Sequence, residues 1–184
     1  MTSSTSTRSS AACSGSRPTR RRCFPPVVDD GVRLLVLGSL PGEASLAAGR
    51  YYAHPRNAFW RLMGEVIGEN LPAMDYDARL AALLRHRVGL WDVVGEAVRP
   101  GSLDTAIRDA VHNDLAAFVE TLPNLRAVAF NGGTAAREGR KRLAGHDKWL
   151  TLIDLPSSSP ALASRTVEQK ALAWSVLSPI LQSP

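Results

Sequence analysis

The chain has 184 residues, of which 45% are hydrophobic and 21% charged, and this suits one globular domain with its own core. No apolar run approaches the roughly 20 residues needed to cross a bilayer, which excludes a helical membrane protein. The net charge of +5 belongs to residues 1–26, which hold five of the 22 basic residues and no acidic ones, so the remainder, with 17 of each sign, is formally neutral.

The first 26 residues are rich in Ser, Thr and Arg and have no apolar periodicity. This composition predicts a disordered basic tail over residues 1–26, followed by a single domain over residues 27–184. Such a tail suits loose binding of a polyanion, a solvated leader without function, or an organelle transit peptide.

Both cysteines, Cys13 and Cys23, lie in the predicted tail. The body therefore cannot form a disulfide framework, and we expect a reducing, cytoplasmic setting. Two thiolates are too few for an iron–sulfur cluster, and the four histidines have no metal-ligand spacing. We therefore expect neither a metal nor a cofactor.

Short apolar runs alternate with amphipathic segments along the body. Strands are predicted at residues 32–37, 88–91, 125–130 and 149–153, and helices at 57–67, 75–87, 101–111, 134–143, after Asn113 or Asp114, and after Thr166. Pro179 is predicted to kink or end the last helix. The alternation predicts an α/β fold, a three-layer α/β/α sandwich with a short, mostly parallel four-stranded central sheet.

The carboxyl ends of the predicted strands carry Gly38-Ser39, Trp91-Asp92, Asn131-Gly132-Gly133 and Pro156-Ser157-Ser158-Ser159. Because the carboxyl ends of parallel strands share one edge of a sheet, these residues should meet in one mostly uncharged site. The sequence lacks the glycine-rich loops that bind nucleotide phosphates and the Gly-x-Ser-x-Gly nucleophile motif. Asparagine amides and tyrosine rings suit a neutral heterocycle such as a nucleobase.

Three segments carry a family resemblance: Gly38–Gly42 (GSLPG), Tyr51–Trp60 (YYAHPRNAFW) and Leu155–Ala161 (LPSSSPA). They resemble the uracil-DNA glycosylase superfamily, and most closely its hypoxanthine-DNA (deoxyinosine) glycosylase branch, to which Gly89–Val93 and Phe130–Gly132 are also similar. The resemblance spans roughly residues 32–179. It implies a monofunctional DNA repair enzyme, a nucleoid-associated cytoplasmic monomer, that flips a deaminated base out of double-stranded DNA and hydrolyses its N-glycosidic bond.

The resemblance implies a catalytic part for Asn57, which would position the attacking water. The alternative for Asn57 is a plain helix cap. Ser39 departs from the relatives that remove uracil, in which an Asp or Asn at this position holds the water. This departure favours hypoxanthine over uracil as the base removed.

Base binding and DNA contacts are also implied by the resemblance. The implied base-binding residues are Gly38, Ser39, Tyr52 and Asn131, and the implied DNA-binding residues are Ser157, Ser158 and Ser159. The alternatives are structural. Gly38 and Ser39 would form a tight turn, Tyr52 would pack at the rim, Asn131 would be a turn residue, and the three serines would form an ordinary strand-to-helix loop. Asp92 is expected either to orient a neighbouring group or to cap a helix.

Three other functions stay open. One is a uracil or mismatch-specific glycosylase of broader specificity, another is a non-catalytic nucleic-acid-binding α/β module, and the third is a free-nucleoside hydrolase. The formally neutral body argues against a strong DNA-binding module, which would display a basic face. The loop of Ser157, Ser158 and Ser159, called the serine loop below, argues against the nucleoside hydrolase, whose substrate has no phosphates to contact.

Overall fold

A computed structural model of the protein describes residues 20–162 and 164–182. The strands are β1 Arg20–Arg22, β2 Leu34–Gly38, β3 Val88–Asp92, β4 Val94–Val98, β5 Arg108–His112, β6 Ala127–Asn131 and β7 Thr151–Leu155. The α-helices are α1 Glu43–Ala48, α2 Phe59–Ile67, α3 Tyr76–Arg85, α4 Leu115–Glu120, α5 Gly133–Arg142, α6 Val167–Trp174 and α7 Ser178–Gln182. Within these residues no helix is both long enough and apolar enough to cross a bilayer.

The central sheet has four parallel strands in the order β3-β2-β6-β7. Side chains of β2 alternate between two cores. Leu34 and Val36 pack with α2, α3 and α6 on one face, and Leu35 and Leu37 pack with α4 and α5 on the other. A sheet buried on both faces needs a helical layer on each side, so the predicted α/β sandwich with a four-stranded parallel sheet is confirmed.

Side-chain caps begin several helices where the sequence predicted them. Asp75 accepts the Ala78 amide at 2.8 Å ahead of α3, and Asp114 accepts the Ala117 amide at 3.1 Å ahead of α4. Thr166 begins α6 with a reciprocal capping box. The helical path of α6 tightens into a 3₁₀ turn at Ser175–Leu177, immediately before the helix that contains Pro179, which agrees with the predicted kink.

The predicted helix over residues 101–111 is wrong. This stretch contains a 3₁₀ turn at Asp104–Ala106 and then β5, which pairs antiparallel with β4. The i, i+4 pair Ile107 and Val111 suggested a helical stripe, but Val111 is 58% exposed and only Ile107 packs on the small core beneath this sheet. Strand β4, which begins two residues after Asp92, was not predicted.

The predicted tail boundary at residue 26 is also wrong. Arg20–Arg22 form β1, which pairs antiparallel with β4. Arg20 and Arg22 both pair with Glu96, the latter at 2.7 Å, and the Phe24 ring packs edge-on against Tyr51. The basic excess of this segment is therefore partly balanced by distant acidic residues that the sequence alone does not place nearby. Residues 1–19 of the predicted tail, including Cys13, lie outside the described residues.

Candidate active site

The carboxyl ends of the four parallel strands meet at one edge of the sheet. Gly38 at the end of β2 pairs with Asp92 at the end of β3, and Asn131 at the end of β6 pairs with Leu155 at the end of β7. The predicted site segments after these strands are thus neighbours. They form the candidate active site, together with the aromatic segment Tyr51–Trp60.

The first loop, residues 38–42, is held by groups from outside the central sheet. Its Gly38 and Ser39 carbonyls accept the amides of Val93 and Val94, each at 2.9 Å. The buried guanidinium of Arg99 donates to the Leu40 carbonyl at 3.0 Å and also to the carbonyl of the next residue. These contacts fix the loop as a rigid wall of the site.

The Ser39 side chain is nearly buried, and its hydroxyl is engaged within the protein. Its hydroxyl donates to Asp104 Oδ1 at 2.6 Å, and Asp104 lies 3.7 Å from the Arg99 guanidinium. Sequence reasoning missed both residues, because Asp104 comes from the stretch that was predicted to be helical and Arg99 directly follows β4, which was not predicted. No motif marks them, and only the β4–β5 pairing brings them to this edge.

Tyr52 stacks on Phe59, with ring centroids 3.7 Å apart and planes inclined by 13°. Its backbone adopts the left-handed conformation, with φ of 52°. One face of the ring is therefore occupied by protein, and only the other face or an edge remains for a base. Burial, followed by the nearby Asp92 charge, raises the pKa of the Tyr52 phenol, so the hydroxyl stays neutral and can both donate and accept.

Asn131 ties three parts of the site together. Its Oδ1 accepts the Ser158 amide at 2.8 Å, and its Nδ2 donates to the Ser158 hydroxyl at 2.9 Å and to the Tyr52 hydroxyl at 3.2 Å. Both amide hydrogens are thus engaged within the protein. Direct recognition of a base by this amide, as predicted, would require it to exchange one of these bonds.

The serine loop differs from residue to residue. Ser158 is 1% exposed, and its inward hydroxyl argues against direct phosphate contact by that side chain. Ser157 and Ser159 are partly exposed, and their hydroxyls accept backbone amides two residues ahead, each at 3.2 Å. They form the accessible part of the loop.

Helix α6 supports the serine loop from inside the protein. Lys170, only 4% exposed, donates from Nζ to the Ser159 carbonyl at 3.0 Å, and burial lowers its pKa. The indole of Trp174 donates to the Pro156 carbonyl at 3.0 Å. Sequence reasoning missed this support, because a buried lysine looks like any surface lysine in a helix.

Asn57 lies at the entrance to α2, next to the serine loop. Its Oδ1 accepts the Phe59 amide at 3.0 Å, and the amide of the following Ala58 donates to the Ser158 carbonyl at 3.0 Å. The Oδ1 contact satisfies the first amide of α2, although the N-cap position of this helix is Ala58 and carries no side-chain cap. This contact leaves the carboxamide nitrogen free, since within the described residues Nδ2 donates to no protein acceptor.

Asp92 is buried beneath Gly38, with 3% of its surface exposed. Its Oδ2 has no hydrogen-bond partner among the described residues. Loss of hydration raises the pKa of this carboxyl to about 7, although the Tyr51 hydroxyl and Arg99 act in the opposite direction. No helix follows Asp92, so it does not cap one, and the alternative of an orienting role stays a prediction.

Known proteins are similar to this chain over most of the strands and helices described above. The family model of the uracil DNA glycosylase superfamily matches residues 25–178. A hypoxanthine DNA glycosylase of Methanosarcina barkeri is 40% identical over 147 residues, which are 79% of this chain and 93% of that protein. A protein of the same name from Methanosarcina acetivorans is 43% identical over 142 residues, or 77% of this chain and 87% of that protein.

The fold agrees with a solved structure as well. A solution NMR structure of a Methanosarcina acetivorans protein assigned as a uracil DNA glycosylase has a TM-score of 0.78 and 38% identity. The similarity covers 88% of this chain and 99% of that one. The family predicted from the three sequence segments is therefore confirmed: the chain belongs to the uracil DNA glycosylase superfamily.

Proposed function

We propose that this protein is a hypoxanthine-DNA glycosylase that acts as a monomer on double-stranded DNA. It hydrolyses the N-glycosidic bond of deoxyinosine and leaves an abasic site. The two Methanosarcina relatives carry the name hypoxanthine DNA glycosylase at 40% and 43% identity over most of their length. The observation that carries the proposal is Asn57, whose Oδ1 accepts the Phe59 amide and leaves Nδ2 as a fixed donor beside the serine loop.

Glycosidic hydrolysis in such a site needs fixed polar groups rather than a strong nucleophile. As the bond breaks, the sugar becomes an oxocarbenium-like cation and the base leaves as an anion. Preorganised neutral donors in a dry site stabilise this charge separation. The free Nδ2 of Asn57 holds the attacking water, while Gly38 and Ser39 line the wall beside the base.

The base is held by the aromatic and amide groups. Tyr52 offers the ring face that Phe59 leaves open, and aromatic faces bind bases without regard to their identity. Asn131 holds the Tyr52 hydroxyl in place and recognises the base through its remaining lone pair or by exchanging a bond. Specificity for hypoxanthine then depends on donors placed near its carbonyl oxygen.

DNA is held by the outer part of the serine loop. Ser157 and Ser159 contact phosphates on either side of the extruded nucleotide, and such contacts do not read sequence. Ser158 contributes indirectly, by fixing the loop to Asn131. Weak pairing of inosine lowers the cost of extrusion.

A uracil-directed glycosylase is the competing function, because the solved relative is assigned to uracil. The Ser39 hydroxyl opposes this function, since it is bonded to Asp104 and supplies no carboxylate or carboxamide of its own.

The test uses duplexes with one inosine, uracil or xanthine, followed by alkaline cleavage of abasic sites, with an undamaged duplex as the control. Selective cutting at inosine is expected. Cutting at uracil alone would favour the competing function, and DNA binding without cutting would favour a non-catalytic module.

A further inference from the structure

The turn that leads into Asn57 is closed by His54. The His54 carbonyl accepts the Asn57 amide at 2.8 Å, which closes a four-residue turn with Pro55 and Arg56 at its exposed tip. The ring of His54 also takes part, since its Nδ1 accepts the Arg56 amide at 3.1 Å. His54 therefore accepts two successive backbone amides immediately before the side chain that is proposed to hold the attacking water.

Four consecutive backbone amides, at residues 56–59, each have an acceptor within the protein. The first two donate to His54, the third to the Ser158 carbonyl at 3.0 Å and the fourth to Asn57 Oδ1 at 3.0 Å. Two of these four acceptors are backbone carbonyls, which side-chain substitutions do not remove. The other two are the side chains of Asn57 and His54. Among the four, the His54 ring is therefore the acceptor that can be removed without altering Asn57.

The contact between the ring and the Arg56 amide specifies which ring nitrogen accepts. An amide hydrogen needs a lone pair on Nδ1, so the ring carries its proton on Nε2. The bond spans two residues, as do the bonds that Asn and Asp side chains make to the backbone in tight turns. A carboxamide at residue 54 can therefore replace the ring as an acceptor, whereas an aliphatic side chain cannot.

We propose that His54 is a positioning residue for glycosidic hydrolysis and that it acts through Asn57. The inference rests on the proposed glycosylase function. The ring and carbonyl of His54 fix the backbone ahead of Asn57, and the Ser158 carbonyl fixes the backbone behind it. The direction of the Nδ2 donor, and so the place of the water, depends on both. Because a misplacement of about 1 Å costs up to about 100-fold in rate, a loosened turn slows cleavage while DNA still binds.

Three substitutions separate the acceptor of His54 from its bulk. His54→Asn keeps an acceptor for the amide two residues ahead, His54→Leu keeps the bulk without an acceptor, and His54→Ala keeps neither. We expect single-turnover cleavage of an inosine duplex to fall at least about tenfold in His54→Leu and His54→Ala. His54→Asn should stay within about threefold of wild type, and all three variants should bind the duplex within about twofold of wild type.

His86→Ala is the matched control. His86 is a half-buried histidine at the opposite edge of the sheet, between α3 and β3, where its Nε2 lies 3.2 Å from Glu69 Oε1. This variant should cleave at the wild-type rate. Equal rates for His54→Leu and His54→Asn, with both proteins folded by circular dichroism, would show that the ring only fills space.

The side-chain amide of Asn57 gives a second test that does not depend on activity. In amide NMR spectra its two Nδ2 proton resonances are the pair that is absent from Asn57→Asp. His54→Leu and His54→Asn both lack the ring, so a difference between them reports the acceptor. We expect this pair to lie near its wild-type position in His54→Asn and to be displaced in His54→Leu.

The two tests keep the proposed function and the role of His54 apart. Identical Asn57 resonances in His54→Leu and His54→Asn would refute the positioning role, whatever the enzyme cleaves. A wild type that cuts none of the inosine, uracil and xanthine duplexes would refute the proposed function instead. If the wild type removes uracil or xanthine rather than hypoxanthine, the proposed specificity fails and the same variants are compared on the base that is removed.

Discussion

The Asp92 carboxylate lies directly against the α-carbon of Gly38. A β-carbon at residue 38 would come within 2.6 Å of Asp92 Oδ1 and 3.4 Å of the Tyr52 hydroxyl oxygen. The carboxylate is buried on a short side chain at the end of β3 and has little room to move. A glycine is therefore needed here for close approach, and the first loop depends on that approach for its position.

Gly38→Ala is expected to lower the free energy of unfolding by about 1–3 kcal/mol, because the added methyl group overpacks the site. The rate of cleavage should fall by more than the lost stability explains, because the first loop must move to make room for the methyl group. Thermal melting and single-turnover cleavage measure the two effects. Gly133→Ala is the control, as a β-carbon there meets no atom within 4 Å, and equal effects of the two changes would contradict the expectation.

Asp92 should make the protein less stable as the pH rises. Its pKa is raised from 3.8 to about 7, so between about pH 4 and 7 the folded state binds more protons than the unfolded state. The contribution of Asp92 to the free energy of unfolding is therefore fully present below pH 4 and is lost as the pH rises through 7. This loss is at most about 4 kcal/mol.

The measurement is denaturant unfolding of wild type and Asp92→Asn from pH 4 to 8. The amide cannot ionise, so the wild type should lose stability relative to the variant across this window. Other titrating groups are common to both proteins and cancel in the difference. Parallel curves would mean that the Asp92 carboxyl titrates in its ordinary range.

The central sheet was predictable because its signals are local. Each parallel strand is a short apolar run that ends in a turn, and the caps at Asp75, Asp114 and Thr166 mark helix starts within a few residues. Parallel strand ends share an edge, so the predicted site residues had to be neighbours. Predicting the strands and predicting their shared edge therefore required no knowledge of contacts between distant segments.

The β1–β4–β5 sheet was not predictable in this way. Its strands carry charged side chains and an exposed Val111, so they show no clean alternation, and β1 pairs with a strand more than 70 positions away. The roles of Arg99 and Asp104 follow from that sheet and were missed with it. Their partners, the Leu40 carbonyl and the Ser39 hydroxyl, become visible only once the strands are paired.

Asn57→Asp should separate capping from catalysis. The carboxylate still accepts the Phe59 amide, so thermal stability should change by less than about 1 kcal/mol. The Nδ2 donor is lost, however, and we expect single-turnover cleavage to fall at least about tenfold. Asn57→Ala removes both functions and should show both losses.

The outcome that opposes the proposed role of Asn57 is specific. If Asn57→Asp cleaves inosine DNA at the wild-type rate while Asn57→Ala is only less stable, the residue is a helix cap. Circular dichroism melting and cleavage under enzyme excess, on the same preparations, decide between the two.

Lys170→Met should weaken DNA binding through the serine loop rather than through lost charge. The Nζ of Lys170 donates to the Ser159 carbonyl from inside the protein, and removing a charged donor from a buried acceptor costs about 1–3 kcal/mol. We expect a several-fold loss of affinity for an inosine duplex with little change in the slope of log affinity against log salt concentration. Lys148→Met, which removes an exposed charge, is the control. Because a lysine that contacts phosphate directly contributes about one unit of that slope, a slope reduced by about one in Lys170→Met would mean that its ammonium reaches the DNA.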